Sequence, residues 1–508
     1  MPLSKNKGRK YYSILNVLYS GLNQIVIIVL GFVSRAVFIQ YLNDEFLGVN
    51  SLFTEVLSLL SLADLGMTTV MTYSFFKPLA EKDESTLCKL INFYKKVYIS
   101  IAVAIGVIGI ALIPVLPFLV NMDRNIDHLY IYYLMFIAKT VASYLYVYKS
   151  SILSADQKNY IVTQISIVTK ILLTLLQIIA LYLTHNYFIF LAVDLIVTII
   201  GNRICSLVAD RYYPFLNKKE YLSKEEKKSI FRNIKGGFIY KVSSVLLTST
   251  DNILISILVG TVMVGLYSNY NMVLSKISGL IAVIFASLNG SVGNLVASSS
   301  EDKRYKVYSV VQVSGYIMSG IVIICCYILM EDFVKLWLGE RYILDNSILL
   351  ACLLNNYLII VLQPMWVYRD ATGMYRKTKY IMLIAAIENI FLSVILGRIW
   401  GVFGIIIASA ISRLTTYIWY EPVVLFKEYF NRSPKEFFYK QGFNIILLLI
   451  AMFPMRTVFD KWSCETWQMW ILKGISIGLL SLVYMILSYC WRKDFKDAIR
   501  YIREVVKK

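Results

Sequence analysis

Runs of about twenty apolar residues recur along this chain from its first segment to its last, separated by short polar stretches. A bilayer core is roughly 30 Å thick and is crossed by a helix of about 20 mostly apolar residues. Backbone groups in lipid must be satisfied within the segment, which restricts each crossing to a helix. Fourteen windows meet that requirement: 14–40, 47–76, 93–120, 128–150, 159–184, 187–210, 236–260, 265–298, 306–331, 345–370, 378–398, 402–426, 441–459 and 466–491. The expected fold is therefore all-α and embedded in the membrane. With 58% hydrophobic and 16% charged residues, lipid is the solvent along the whole length. The basic segment Lys5–Lys10 ahead of Ile14 has the look of a signal peptide. The apolar run that follows is too long and has no small-residue cleavage site, so it reads as the first span.

The positive charges test this arrangement. If the N-terminus lies in the cytoplasm, 39 of the 51 Lys and Arg residues fall in cytoplasmic segments and 6 in external ones. That asymmetry predicts an even number of spans with both termini inside. It also accounts for the net charge of +19 without a nucleic-acid partner. The longest loop, 211–235, divides the chain into an N-terminal lobe (1–210, helices one to six) and a C-terminal lobe (236–426, helices seven to twelve). Helices thirteen and fourteen and a basic tail (427–508) follow. The turns around Gly48 and Gly265, 217 residues apart, both end in apolar-Gly before a long helix. They predict two lobes related by a parallel repeat.

Catalytic chemistry is hard to place. His128 and His185 are the only histidines, and the seven cysteines lack metal-ligand spacing. There is no Gly-Lys-Ser/Thr nucleotide loop. The external loops are too short for the acidic domain of a membrane glycosyltransferase. The expectation is a non-enzyme that needs no cofactor beyond H⁺ or Na⁺ as a coupling ion.

Ionisable groups within spans are costly and mark cavities or partners. Lys139, Lys170, Lys276 and Arg413 fall about 16–18 Å from their helix ends, and Arg35 roughly 10 Å. Asp194, Glu388 and Lys473 are candidates for structural pairing. Carboxylates at the depth of the cations are fewer, so a water-filled cationic cavity between the lobes is expected to hold an anionic substrate through Arg35, Lys139, Lys170, Lys276 and Arg413. Asp64, Asp251 and Glu388 are candidates for ion coupling or gating, because burial raises a carboxyl pKa towards neutrality. Most of the 38 tyrosines are expected in interfacial belts. Tyr240, Tyr267, Tyr270 and Tyr368 are candidates for stacking on sugars.

Four places carry a family likeness. Ser34-Arg35 precedes Tyr41-Leu42-Asn43-Asp44-Glu45-Phe46-Leu47-Gly48, and Leu62-Ala63-Asp64-Leu65-Gly66 follows in helix two. Thr250-Asp251-Asn252-Ile253-Leu254-Ile255 leads to Gly260 and Val264-Gly265-Leu266-Tyr267-Ser268. Gly401-Val402-Phe403-Gly404-Ile405 opens helix twelve. Together they resemble the Wzx-type polysaccharide flippases of the multidrug/oligosaccharidyl-lipid/polysaccharide exporter superfamily, with Phe46 where that family often has Tyr. The resemblance implies two bundles working by alternating access in a bacterial inner membrane, with a lipid-tail groove at helices thirteen and fourteen. The implied substrate is an undecaprenyl-diphosphate-linked oligosaccharide, and the implied partners are membrane lipids and polysaccharide polymerase or export machinery. Multidrug antiport and flipping of a peptidoglycan lipid precursor are the alternatives within the superfamily.

Overall fold

A computed structural model describes residues 9–64, 67–122, 126–218 and 220–506. Among the described residues, regular structure is helical throughout. Eleven helical stretches there are long and apolar enough to cross a membrane. One of them, Lys377–Tyr429, is too long for a single pass. Its component helix Tyr375–Thr415 reverses at Gly401, where φ is 59° and ψ is −136°. The reversal lays its two arms side by side: Asn389 Nδ2 donates to Ser409 Oγ at 2.8 Å and Thr415 Oγ1 to Glu388 Oε1 at 2.6 Å. A positive φ at this corner suits glycine, which has no Cβ to clash.

Two further expected spans are interrupted helices. Asp44–Leu60 continues through a 3₁₀ turn at Ser61–Asp64 and resumes at Met67–Glu81. Leu129–Tyr144 stops at Leu145 and Tyr146 and resumes at Val147–Ala155. With the reversal at Gly401 and these two, the fourteen expected windows all have a helical counterpart. The eighth is also broken, into Thr261–Ala286 and Asn289–Ser298. The segment 211–235, expected as a loop, is helical from Lys224 onwards and runs on unbroken to Leu258. A capping box starts it: Ser223 N donates to Glu226 Oε2 at 2.6 Å, and Glu226 N to Ser223 Oγ at 3.3 Å. The two orphan donors at the helix start are thereby satisfied.

The chain divides into two compact units, Met1–Gly265 and Leu266–Lys508. In the first unit, Arg9–Tyr41 packs along Asn159–Thr184, which packs along Tyr187–Tyr212. Leu129–Tyr144 fits against Tyr187–Tyr212 and Glu84–Ala111, and Lys224–Leu258 lies along Asp44–Leu60. This unit is defined by packing, and the lobes expected from the sequence by repeat and topology; the two partitions differ because the helix after the linker packs back onto Asp44–Leu60. In the second unit, Glu301–Leu338 is central, with Asn346–Thr372, Lys435–Phe459 and Trp467–Tyr489 around it. Helices thirteen and fourteen are pinned to it by a buried polar set. Gln441 and Asn444 both donate to Tyr357 Oη, at 2.8 and 3.0 Å, and Tyr489 Oη donates to Asn444 Oδ1 at 2.9 Å. Lys473 Nζ donates to Asp332 at 2.7 Å and to the Trp462 carbonyl at 3.0 Å.

A set of the tyrosines is packed into the protein interior. Tyr94, Tyr98, Tyr133, Tyr187, Tyr270, Tyr308, Tyr316, Tyr342, Tyr368, Tyr417 and Tyr489 are all fully buried. Several of their hydroxyls find partners inside the protein, as when Tyr368 Oη donates to the Arg304 carbonyl at 3.2 Å, whereas those of Tyr133 and Tyr316 do not. The Leu344 amide likewise donates to Tyr270 Oη at 3.0 Å. A ring that carries a polar tip packs well between helices in lipid, where a hydrogen bond to backbone replaces one to water. Tyr270 and Tyr368 are thus sealed into the core of the second unit and present no face for a sugar.

The two turn glycines singled out by the repeat meet in the first unit. A Cβ on Gly48 would lie 2.1 Å from the Thr261 carbonyl oxygen, and one on Gly265 would lie 3.0 Å from Gly48 N. The adjoining backbone is cross-braced. Thr261 N donates to the Asn121 carbonyl at 2.8 Å, Asn121 N to Thr261 Oγ1 at 3.0 Å, and Ser256 Oγ to the Leu119 carbonyl at 2.6 Å. Small residues at a helix contact let backbones approach closely, and van der Waals packing then holds helices together in lipid.

Candidate functional site

Within the first unit, three helical segments enclose a cavity of about 390 Å³. Leu129–Tyr144 and its continuation Val147–Ala155 contribute Lys139, Ser143, Tyr146, Val147 and Ser150. Asn159–Thr184 contributes Val162, Ile165, Ser166, Thr169, Lys170 and Leu173, and Tyr187–Tyr212 contributes Asp194, Val197, Thr198, Gly201, Asn202 and Cys205. On each helix the lining residues recur at three and four positions, which is one face of an α-helix. The other faces carry exposed Val168, Ile171, Leu172, Leu175, Ile179, Ile196, Ile199 and Ile200, suited to lipid. The cavity-facing stripes therefore concentrate hydroxyls, an amide and charges inside an otherwise apolar bundle.

The charged lining residues are Lys139, Lys170 and Asp194. Lys139 Nζ donates to Asp194 Oδ2 at 2.6 Å, with the two side chains 40% and 16% exposed. The pair joins residues 55 positions apart in the chain. A second pair, Lys149 Nζ to Asp210 at 2.6 and 2.7 Å, ties the same two helical segments further along. Gly201 makes the close approach of Tyr187–Tyr212 to Asn159–Thr184 possible, since a Cβ there would lie 2.9 Å from Thr169 Cγ2. The lining as a whole has an excess of positive charge and many neutral hydrogen-bond donors. Such a set suits an anionic group with several acceptor oxygens.

Sequence reasoning placed Lys139 and Lys170 at a substrate site, and the structure brings these two together. Asp194, read as a structural partner, is indeed paired, but on the cavity wall. The remaining candidates lie elsewhere. Arg35 is half-buried on Arg9–Tyr41. Asp251 is buried on Lys224–Leu258 beside Asn252, whose Nδ2 lies 3.4 Å from Glu55 Oε1. The Asp64 side chain lies outside the described residues. In the second unit, Lys276 is half-buried on Thr261–Ala286, and Glu388 accepts from Thr415 on the other arm of the hairpin. Arg413 is packed into the core, 7% exposed, and donates from Nη1 to Tyr417 Oη at 2.9 Å.

Sequence reading missed two acidic residues. Glu55 faces Asn252 across two packed helices. Glu421 is fully buried, its Oε1 3.6 Å from Arg369 Nη1. Arg413, Tyr417 and Glu421 are spaced four apart, and that register was the available signal. Arg369 lies in the last turn of another helix, Asn346–Thr372, so that register alone does not reach it.

The fold defines a class. The lipid II flippase MurJ in an inward closed conformation superposes with a TM-score of 0.68 at 15% identity, covering 94% of this chain and 99% of that one. The MATE multidrug transporter DinF-BH gives 0.61 at 15% identity, covering 85% and 98%. The Vibrio cholerae MATE transporter VcmN gives 0.57 at 13%, covering 84% and 100%. The chain therefore has the helical fold shared by these flippases and transporters, and it is a multi-pass membrane protein. No individual curated protein sequence matches it significantly. Residues 13–289, more than half of its length, match the family described as "Polysaccharide biosynthesis protein", and the chain belongs to that family.

Proposed function

We propose that this protein translocates undecaprenyl-diphosphate-linked oligosaccharide units from the cytoplasmic to the external leaflet of a bacterial inner membrane, for surface polysaccharide export. The observation that carries the reading is the cavity holding Lys139 and Lys170 among hydroxyl and amide donors in a chain of the polysaccharide biosynthesis family. A diphosphate diester presents several anionic oxygens, and clustered ammonium groups in a low-dielectric bundle bind such a group strongly. Arg35, Lys276 and Arg413 are further candidates for the head group. Both termini face the cytoplasm in this reading, as the distribution of positive charge favours. Alternating access moves the head group, and H⁺ or Na⁺ acting at Asp64, Asp251 or Glu388 couples the cycle. The protein acts by transport rather than by bond chemistry, and polymerase or export machinery receives its product.

The test is head-group translocation in proteoliposomes. A fluorescent undecaprenyl-diphosphate sugar is followed by its access to an external quencher, with and without a pH or Na⁺ gradient. Protein-dependent, gradient-sensitive movement supports the proposal; movement no faster than in empty vesicles, with folded protein confirmed, refutes it. The MurJ-like fold favours a second reading, a peptidoglycan lipid precursor as cargo. Competition between the two lipid-linked sugars in the same vesicles separates them. Export of cationic drugs fits less well, because the charged cavity lining holds two lysines and one aspartate.

A further inference from the structure

The last helix of the second unit, Lys493–Val506, follows the span Trp467–Tyr489 after only three residues. Its first turns carry three kinds of side chain on three separate edges. Asp494, Asp497 and Ala498, spaced three and four apart, face the protein: the two carboxylates are 21% and 14% exposed, and Ala498 is buried. Lys440 Nζ lies 2.6 Å from Asp494 Oδ2, and Lys306 Nζ lies 4.0 Å from Asp497 Oδ1. Lys306 and Lys440 stand just ahead of the apolar runs of Glu301–Leu338 and Lys435–Phe459. The acidic edge therefore fixes this helix to two spans at the level where both enter the lipid.

Phe495 and Ile499, one turn apart, form the second edge, and Ile499 is 38% exposed. Trp491, just ahead of the helix, is 62% exposed. Lys493, Lys496 and Arg500 recur at three and four positions and form the third edge, and all three are exposed. Arg500 also lies 3.8 Å from Asp497 within the helix. A surface helix of a soluble protein turns its apolar edge inward and its charges outward. Here the inward edge is acidic, and apolar side chains stay outward beside the end of a membrane span. The basic edge adjoins the apolar one, since Lys496 lies one turn from Ile499. Long lysine and arginine stems can run along apolar surface while their charged ends reach polar groups above it.

We propose that Lys493, Lys496 and Arg500 form a binding edge for the phosphate head groups of anionic membrane lipids, with Trp491 and Ile499 seated at the acyl boundary beside them. Clustered basic residues next to a span meet the negative surface potential of such a bilayer, and an apolar edge at the same level adds the burial that holds a helix in the interface. Lipid then clamps the helix from one side, while Lys306 and Lys440 hold it from the other. This binding edge requires only a multi-pass membrane protein and is independent of which cargo the protein moves.

The experiment follows amide hydrogen exchange over 493–500 in the full-length protein, in nanodiscs of phosphatidylcholine alone and of phosphatidylcholine with phosphatidylglycerol in equal parts. Phosphatidylglycerol is expected to slow exchange roughly tenfold, and raised salt to remove most of that gain. A variant carrying Lys493→Gln, Lys496→Gln and Arg500→Gln is expected to exchange alike in both lipids, close to the parent's rate in phosphatidylcholine. Asp494→Asn loosens the docked edge and keeps the basic one, so exchange should be faster in both lipids with the gain from phosphatidylglycerol retained. Equal exchange of the parent in the two lipids overturns the proposal and leaves a solvated basic edge. A gain that survives in the triple variant also overturns it, because the protection then does not act through these charges. If the triple variant does not fold, Lys493→Gln with Lys496→Gln should lose most of the gain, and an undiminished gain there counts against the site in the same way.

Discussion

Replacing Gly48 by alanine puts a methyl group where the structure has a backbone. The added Cβ would lie 2.1 Å from the Thr261 carbonyl oxygen and 2.8 Å from its carbonyl carbon. A carbon approaches a carbonyl oxygen no closer than about 3.3 Å in ordinary contacts, so Thr261 must retreat by roughly 1 Å. It has little freedom to do so, because its amide and its hydroxyl are both hydrogen-bonded to Asn121. Overpacking by one methylene costs typically 1–3 kcal/mol. A clash with fixed backbone rather than a mobile side chain belongs at the top of that range, about 3 kcal/mol. Gly265→Ala meets Gly48 N at 3.0 Å and Leu47 Cγ at 3.2 Å, a mismatch of a few tenths of an ångström. Its cost should be about 1 kcal/mol. Gly478→Ala, with nothing within 4 Å, should be neutral or gain up to about 1 kcal/mol of helix propensity. Thermal unfolding of the three purified variants in detergent, followed by near-ultraviolet circular dichroism, gives the order. If Gly48→Ala unfolds at or above the temperature of Gly478→Ala, the close backbone contact and the reasoning built on it are wrong.

Other expectations follow from the same structure. Lys473→Ala strands Asp332, which is 21% exposed, and should destabilise by about 2–3 kcal/mol, less than the full 3–5 kcal/mol of a wholly buried pair; adding Asp332→Leu should recover most of the loss, and a double variant as unstable as the single would contradict this. Ser223→Ala removes one half of the capping box and should fray the start of Lys224–Leu258 by about 1 kcal/mol, seen as faster amide exchange over its first turn. The Ser223 backbone amide and hydroxyl hold the Glu226 carboxyl below the ordinary glutamate value. Its contribution is therefore complete above about pH 4.3 and is lost as the pH falls through the depressed pKa, which exchange measured across that range would report. Arg35→Ala should abolish export while leaving membrane insertion normal; full complementation by that variant would remove Arg35 from the site.

The spans were legible because lipid imposes one requirement on every crossing, and a run of apolar residues meets it or does not. Positions of helix breaks were less so. The interruption at Leu145 and Tyr146 carries no proline or glycine; the segment after it, Val147–Ala155, packs against Met67–Glu81 and Tyr187–Tyr212, which is tertiary information. Tyrosine is ambiguous by nature: the amphipathic ring suits a membrane interface and an interhelical seam alike, and Tyr270 and Tyr368 took the second option. Lys139 and Lys170 could be flagged by depth alone, since an ammonium within a span always needs an explanation. Which carboxylate answers Lys139 is a tertiary fact, set by how Leu129–Tyr144 and Tyr187–Tyr212 pack. Glu421 escaped notice because its partner, Arg369, lies on another helix, and which helices meet is a tertiary fact.

The corner at Gly401 also bears on how the protein is made. The two arms of the hairpin are joined by a single residue, and Gly404 packs so closely that a Cβ there would lie 1.9 Å from the Leu396 carbonyl oxygen. A link of one residue spans about 3.8 Å, so the second arm begins where the first ends and neither has slack to wait in water while the other is threaded. Linked this tightly, the two arms are suited to enter the bilayer as one hairpin, with Asn389 and Ser409 hydrogen-bonded between them. Trp400, 55% exposed at the bend, is the kind of residue that settles where lipid meets water.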